Sequence, residues 1–214
     1  MIDSYRHKGM RKKMIEELRL KGISDENVIK ALDEVPRHWF LEEAFLNFAY
    51  ENKAFQIGCG QTISHPYTVA FQSQLLEIKK GDKVLEIGTG CGYQTSILVK
   101  MGAKVYSIER QRPLFLETKK RLQEIRMRAQ VFYGDGYKGL PTFAPFDKII
   151  VTAGAPYIPE DLVAQLNPNG IMIIPIGEGK QIMNKITKDS EGKIYKTELG
   201  EFAFVPMLEH KKWE

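Results

Sequence analysis

The chain has 214 residues, of which 43% are hydrophobic and 27% are charged, and its formal net charge at pH 7 is +4. This length suits one α/β domain with a substantial buried core, and the weak positive charge does not demand a nucleic-acid partner. No apolar run approaches membrane-spanning length, and the charged N-terminus is not followed by the apolar core of a signal peptide. We therefore expect a monomeric cytoplasmic protein with no membrane or nucleic-acid partner.

Basic residues concentrate at the start of the chain. The first 21 positions contain Arg6, Lys8, Arg11, Lys12, Lys13, Arg19 and Lys21. Such a run is usually the solvated face of a helix. The alternative is a nucleic-acid-binding module, whose salt-dependent binding would disappear if Arg11, Lys12 and Lys13 were neutralised.

A second helix is predicted directly after this basic segment. Ser24 is placed to cap its N-terminus, and Pro36 ends it. Its apolar positions recur at helical spacing and are Val28, Ala31, Leu32 and Val35.

Residues 58–67 read GCGQTISHPY and place many hydrogen-bonding side chains just before a helix. Pro66 suits the first turn of that helix, with Val69, Leu75 and Leu76 as its core positions. The polar side chains indicate a substrate-binding loop. Capping of the helix by Ser64 or His65, which needs no ligand, is the alternative.

Residues 84–87 form a short apolar run that Gly88 ends, which predicts a buried strand leading into a tight turn. Residues 93–101 carry apolar side chains at helical spacing before Gly102, so a helix follows the turn. Glycine permits close backbone approach to a ligand, and a helix N-terminus offers unpaired N–H groups. A strand, a glycine turn and a helix start therefore predict a nucleotide cradle.

The next predicted strand, 104–108, ends at Glu109, which lies 21 residues after Gly88. An acidic residue at this distance is placed to accept hydrogen bonds from ribose hydroxyls. The alternative is a tight turn beside an exposed surface glutamate.

The spacing of the glycines distinguishes between two candidate cofactors. Gly88, Gly90 and Gly92 alternate with single residues, whereas dinucleotide sites space theirs G-x-G-x-x-G. Glu86 extends the pattern to E-x-G-x-G-x-G, which resembles the first motif of Rossmann-like methyltransferases. The pattern favours S-adenosylmethionine over NAD.

Strands and helices continue to alternate, with a helix over 113–125 and strands over 130–133, 148–152 and 171–176. An antiparallel hairpin over 181–188 and 193–199 and a last strand near 202–207 follow. The order predicts an α/β fold with a doubly wound, mostly parallel sheet. We expect one domain in three parts: a helical cap with the substrate loop (1–80), a cofactor-binding core (81–177) and a C-terminal β addition (178–214).

Asp135 and Gly136 follow the predicted strand 130–133 at the edge of the sheet where ligands bind. The Asp135 carboxylate could accept a hydrogen bond from an adenine amine while Gly136 lets the base approach. A simple Asp-Gly turn is the alternative.

Cys59 and Cys91 are the only cysteines, and they lack the spacing of metal ligands. We expect reduced thiols and no metal site. Because each lies in one of the two glycine-bearing loops, an oxidative link between them is the alternative.

Six motifs resemble, in order and spacing, the protein-L-isoaspartate O-methyltransferase family. They are Val35-Pro36-Arg37-His38, Ala49-Tyr50-Glu51, Ile57-Gly58, Gly60-Gln61-Thr62-Ile63-Ser64, Pro66-Tyr67 and Phe204-Val205-Pro206. The resemblance covers residues 28–207 and implies a Rossmann-like class I methyltransferase that uses S-adenosylmethionine. Its implied partners are proteins and peptides that contain isoaspartyl residues.

The resemblance also implies roles for individual residues. Ser64 matches the family's catalytic serine, and Thr62 is expected to assist it. The implied cofactor contacts are Glu86, Gly88, Gly90, Cys91, Gly92, Glu109, Asp135 and Gly136. The implied substrate contacts are Gln61, Ile63, His65, Val69, Val205 and Pro206.

The implied reaction methylates the free α-carboxylate of an L-isoaspartyl residue. The resulting ester closes to a succinimide that partly reverts to aspartate. A carboxylate is already ionised at neutral pH, so no strong general base is needed. Because such damage arises in many sequences, we expect the pocket to read the substrate backbone more than its side chains.

Three positions depart from the family pattern. Cys91 stands where serine is common, Phe55-Gln56 replaces a usual Leu-Pro, and Ala203 stands where arginine is frequent. The change at Ala203 bears on how the substrate is held. A methyltransferase for a small molecule or RNA would share the cofactor loop, but it has no reason to carry the GQTIS motif.

Overall fold

Apolar runs separated by glycine and proline divide the chain into alternating helices and strands. In the computed structural model, which describes residues 2–212, the helices are α1 (Tyr5–Leu20), α2 (Glu26–Glu34), α3 (Pro66–Leu75), α4 (Tyr93–Lys100), α5 (Arg112–Glu124) and α6 (Glu160–Ala164). The strands are β1 (Phe55–Gln56), β2 (Thr62–Ile63), β3 (Lys83–Ile87), β4 (Lys104–Glu109), β5 (Ala129–Tyr133), β6 (Phe146–Val151), β7 (Leu166–Ile176), β8 (Gln181–Lys188) and β9 (Ile194–Phe202).

Seven strands form one sheet in the order β5-β4-β3-β6-β7-β8-β9. The first five strands in this order, from β5 through β3 to β7, pair in parallel. Strands β8 and β9 add antiparallel pairs at one edge. The predicted doubly wound, mostly parallel sheet is confirmed. The strand order reverses beside β3, so the carboxyl ends of β3, β4 and β6 open a crevice there.

Apolar side chains cover both faces of this sheet, as parallel strands require when other elements pack on both sides of them. On β3, Val84 belongs to a core cluster shared with helices α1 to α4, while Leu85 belongs to a second cluster that includes Leu162 of α6. All three side chains are fully buried. Truncating one such leucine to alanine typically costs about 2–5 kcal/mol of stability. The core therefore holds the strand ends of the crevice rigidly in place.

Helix α2 begins one residue later than its predicted cap implies. Asp25, not Ser24, is the N-cap, and its Oδ1 accepts hydrogen bonds from the backbone N–H groups of Asn27 and Val28 at 2.8 and 3.3 Å. The Ser24 N–H instead donates to Oε1 of Gln74 on α3, at 2.8 Å. Both residues are good caps, and the backbone N–H of each donates to Oε1 of Gln74.

The predicted last strand over 202–207 is wrong, because β9 already ends at Phe202. Residues 203–212, which we call the C-terminal strap, follow without forming a further strand. Lys212 bridges to residues 110–112, through Lys212 N to Arg110 O at 2.8 Å and Arg112 N to Lys212 O at 3.1 Å. Nearer to β9 the strap pairs through Gly154 N to Val205 O at 2.8 Å and Met207 N to Gly154 O at 2.7 Å. Pro206 lies between these bonds and has no N–H to continue a ladder.

The predicted solvated face is correct for five basic residues of α1 and for Lys21 just after it, and wrong for Arg11, which is 5% exposed. The Arg11 guanidinium forms a two-bond pair with Asp3 and donates to the Tyr50 hydroxyl at 3.1 Å. It is therefore unavailable to a phosphate backbone. No helix within residues 2–212 combines the length and apolar character needed to cross a membrane.

Candidate active site

A cleft lies at the carboxyl ends of β3, β4 and β6, and it encloses about 600 Å³ when the space up to its open mouth is included. We call it the loop cleft. Its walls include Gln61, Thr62, Gly88, Gly90, Glu109, Arg110, Gly136, Thr152, Ala153, Val205, Pro206 and Met207. The predicted nucleotide cradle therefore corresponds to a cavity in the folded chain.

The turn after β3 requires glycine at its first position. Gly88 has φ +95°, and a Cβ added there would lie 2.5 Å from Oγ1 of Thr152. That Oγ1 donates to the carbonyl oxygens of Ile87 and Gly88, at 2.9 and 2.7 Å. Thr152 thus fixes the backbone where the strand enters the loop, and no other residue type fits at Gly88 without displacing it.

Glu109 closes the other side of the loop. Its Oε2 accepts a hydrogen bond from Gly90 N at 2.9 Å, and its Oε1 accepts one from Gln111 N at 2.8 Å. Burial raises the pKa of the Glu109 carboxyl above its usual value. Each carboxylate oxygen keeps a second lone pair for a ligand hydroxyl. The alternative of an exposed surface glutamate is wrong, since Glu109 is 4% exposed.

Two further residues named for cofactor contact, Gly92 and Asp135, face other groups of the protein. A Cβ at Gly92 would lie 2.8 Å from Cγ2 of Thr118 on α5, so this glycine permits helix packing and does not line the cleft. The Asp135 carboxylate accepts from Tyr137 N and His210 N, both at 3.0 Å. Gly136 does line the cleft, beside Ile87.

Glu86 lies beneath the loop and does not line the cleft. It is fully buried, and its Oε2 accepts a hydrogen bond from the Thr95 hydroxyl of α4. Its Oε1 has no hydrogen-bond partner among residues 2–212. Burial raises the pKa of this carboxyl to about 7. The free oxygen is an acceptor directly below the loop.

We expect Glu86→Gln to stabilise the protein at pH 8 and to have little effect at pH 4.5. The folded state keeps the Glu86 proton up to about pH 7, whereas an unfolded glutamic acid loses it near pH 4.5. Stability is therefore lost as pH rises between these values, by up to about 3 kcal/mol at this shift. Urea unfolding of both proteins at the two pH values measures it. An equal difference at both would contradict the buried-carboxyl explanation.

A second cavity, the serine cavity, adjoins the loop cleft. It holds about 290 Å³ and is lined by Ala54, Thr62, Ser64, His65, Thr68, Thr152, Ala203, Phe204 and Val205. The hydroxyl of Ser64 has no hydrogen-bond partner in the described part of the chain. It is free to bind a ligand that enters this cavity.

The cavities converge on two threonines. Thr62 and Thr152 line the loop cleft, the serine cavity and a third, inner cavity of about 360 Å³. The inner cavity is also lined by Ile63, Ser64, Val69 and Cys91. A ligand in the loop cleft and one in the serine cavity therefore approach each other at these threonines. Of the residues named for substrate contact, Gln61 and Pro206 line the loop cleft, and Val205 lines the loop cleft and the serine cavity.

The alternative interpretation of Ser64 and His65 as helix caps is wrong. His65 occupies the N-cap position of α3, but no side-chain bond is made from it. Oδ1 of Asn52 accepts from Tyr67 N at 3.0 Å and satisfies the helix end instead. Burial, with Arg37 and Lys21 nearby, lowers the pKa of the His65 imidazole, which is therefore neutral at pH 7. His65 lies at the mouth of the serine cavity.

Arg37 is a buried cation for which sequence reasoning assigned no role. Its guanidinium lies 5.0 Å from the ring centre of Tyr93, and its Nη2 donates to Lys53 O at 3.2 Å. Tyr93 lines the inner cavity, and Ala54, next to Lys53, lines the serine cavity. Arg37 thus joins the walls of both cavities. Only its place in a family motif could have drawn attention to it.

One group in the described chain has the residue types of a metal site. Ligand atoms of Asp3, His7 and His38 lie within 4.8 Å of one another. The two imidazole rings stack at 3.8 Å with an interplanar angle of 19°, and both ring nitrogens of His38 already lie within hydrogen-bond distance of other groups, the Tyr50 hydroxyl at 2.8 Å and the Ile2 carbonyl oxygen at 3.2 Å. Asp3 is already paired with Arg11. The group is a packed hydrogen-bonding cluster, not a coordination shell.

The sheet order and the glycine loop with its acidic partner define a Rossmann-like class I methyltransferase. Residues 9–212 match the family model of protein-L-isoaspartate(D-aspartate) O-methyltransferase. The chain belongs to this family of S-adenosylmethionine-dependent enzymes.

Individual relatives agree with the family match. A protein-L-isoaspartate O-methyltransferase of Flavobacterium johnsoniae is 55% identical over 99% of this chain and 100% of its own. A solved structure of a protein-L-isoaspartate O-methyltransferase has a TM-score of 0.83 at 29% identity, covering 92% of this chain and 65% of its own. A Plasmodium falciparum protein described as such an enzyme, crystallised with S-adenosyl-L-homocysteine, has a TM-score of 0.81 at 27% identity, covering 92% and 98%.

Proposed function

We propose that the protein transfers a methyl group from S-adenosylmethionine to the free α-carboxylate of L-isoaspartyl residues in damaged proteins. The methyl ester then closes to a succinimide, which hydrolyses partly to normal aspartate. The observation that carries the proposal is the convergence of the loop cleft and the serine cavity at Thr62 and Thr152. A donor on one side and an acceptor on the other meet there, as direct transfer requires.

The loop cleft fits the cofactor. Gly88 and Gly90 leave room for close approach of a ligand to the backbone, and Glu109 offers lone pairs to ribose hydroxyls. The open face beside Gly136 suits an adenine ring. The bound cofactor supplies an electrophilic methyl group on a sulfonium. Cys91, whose pKa burial raises, stays an uncharged thiol beside it.

The residues of the serine cavity hold the acceptor. The Ser64 hydroxyl donates a hydrogen bond to one carboxylate oxygen, and Thr62 orients the group toward the cleft. No side chain has to remove a proton, since the carboxylate is ionised at pH 7. Apolar walls at Ala203, Phe204 and Val205 displace water from the nucleophile. Catalysis by this chain is therefore mainly positioning and exclusion of water.

The partners and compartment follow from the same features. Both cysteines are unpaired, which supports a reducing compartment such as the cytoplasm. Arg11 is committed to Asp3, which weakens the basic N-terminus as a nucleic-acid surface. We propose a cytoplasmic monomer that acts on damaged proteins and not on nucleic acid.

The test uses two synthetic peptides that differ only in L-isoaspartate against normal aspartate. We expect label from methyl-labelled S-adenosylmethionine to enter only the isoaspartyl peptide, as a base-labile ester. Cofactor binding is measured in the same samples by calorimetry. Transfer to neither peptide despite cofactor binding would overturn the proposed acceptor, and methylation of RNA or a small metabolite would replace it.

A further inference from the structure

A groove lies outside the two reacting cavities, and it encloses about 850 Å³ when the space up to its open side is included. We call it the aromatic groove. It lies between α3 and β9, and its floor is formed by three half-buried rings, those of Tyr67, Phe71 and Phe202. None of these residues is used by the proposed reaction.

The three rings form one stacked platform. The ring centres of Phe71 and Phe202 are 5.3 Å apart with an interplanar angle of 26°, and those of Tyr67 and Phe71 are 5.7 Å apart at 24°. Tyr67 and Phe202 are almost parallel, at 5°. Each of the three residues is only half-buried, so a ligand that covers the remaining apolar surface gains free energy.

The groove is continuous with the serine cavity. His65, Thr68 and Ala203 line both. A peptide whose isoaspartyl residue occupies the serine cavity can therefore extend its neighbouring residues over the aromatic groove, since one residue of extended chain spans about 3.3 Å. This continuity identifies the occupant as the substrate itself.

The lining also indicates which side chains bind. His65 is neutral at pH 7, and the exposed Glu201 carboxylate is paired with Lys180 at 3.2 Å. One cation borders the groove, since Nζ of Lys21 lies 5.9 Å from the ring centre of Tyr67. The rest of the floor offers stacking and apolar contact. Aromatic and large apolar side chains gain most from such a surface.

We propose that the aromatic groove is a specificity subsite that binds an aromatic or large apolar side chain flanking the isoaspartyl residue of the substrate. This rests on the proposed function, and it adds a side-chain preference to a pocket expected to read mainly the backbone.

The test is a set of isoaspartyl peptides with alanine at every flanking position, except that one position at a time carries phenylalanine. At one of the flanking positions we expect kcat/KM about tenfold above the all-alanine peptide, as partial burial of a phenylalanine ring predicts. In Phe202→Ala the ratio should fall below about threefold. Phe71→Ala is the second variant, in case the first fails to fold. Leu116→Ala, which truncates a 49% exposed leucine on α5 outside the groove, should keep the tenfold ratio.

The outcomes separate the two proposals. If the all-alanine peptide is methylated but phenylalanine gives no gain at any position, the subsite is wrong and the proposed function stands. A gain that persists in both groove variants also overturns the subsite, because the preference then arises elsewhere. If no isoaspartyl peptide is methylated, the proposed function itself has failed.

Discussion

Replacing Ser64 with alanine should lower kcat/KM for an isoaspartyl peptide by about 100-fold, the usual loss on removing one preorganised donor. The Ser64 hydroxyl has no partner within residues 2–212, and the residue lines both the serine cavity and the inner cavity. Its hydrogen bond is therefore made only to the acceptor. The measurement is initial-rate methyl transfer with peptide as the varied substrate.

Two controls make the result for Ser64 specific. Cofactor affinity should be unchanged in Ser64→Ala, because Ser64 does not line the loop cleft. Ser190→Ala, at an exposed serine after β8, should keep full activity. Unaltered transfer by Ser64→Ala would remove this residue from the mechanism, and an equal loss of cofactor binding would assign it a structural role instead.

Gly88→Ala should abolish cofactor binding within the range usually measured, a loss of at least about 100-fold or 2.7 kcal/mol. The new Cβ would lie 2.5 Å from Oγ1 of Thr152, which itself holds the Gly88 carbonyl. Relief of this collision moves the loop or breaks the Thr152 bonds, and either change deforms the cleft. Calorimetric titration with S-adenosyl-L-homocysteine measures the effect.

The matched control is Gly81→Ala. Gly81 has φ +93°, close to the +95° of Gly88, but a Cβ there would meet nothing within 4 Å. Both variants carry the backbone strain of a left-handed alanine, of the order of 1 kcal/mol. Only the change at Gly88 should lose the cofactor. If both variants lost it equally, backbone strain and not the Thr152 contact would be the cause.

Local patterns predicted the parts of this fold that depend on nearby residues. The alternation of apolar runs and glycine stops gave β3, α4 and β4 to within a residue, because a parallel sheet needs such runs. The cap of α2 was missed by one residue, because Ser24 and Asp25 are both good N-caps and only the folded chain shows which side chain bonds the N–H groups of the helix. Arg11 was misassigned because its partners Asp3, Asp33 and Tyr50 come together only in the folded chain.

The candidate site likewise contains residues that local motifs predicted and residues that they did not. Gly88, Gly90, Glu109 and Ser64 could be named from motifs, and the structure gathers them around adjoining cavities. Thr152 lines all three cavities but carries no motif, since a threonine at a strand end is ordinary. Asn52 caps α3 from 15 residues away. Such residues are visible only once the chain is folded.

The C-terminal strap has a consequence for the order in which the protein is made. Val205 to Met207 form a wall of the loop cleft, yet they are fixed by contacts with residues synthesised long before them. Arg110 Nε donates to His210 O across 100 positions, and His210 N donates to Asp135 across 75. A chain still on the ribosome lacks this wall until residues 205–210 have emerged, which is after every strand of the sheet. The nascent protein can therefore complete its sheet core before the cleft is closed.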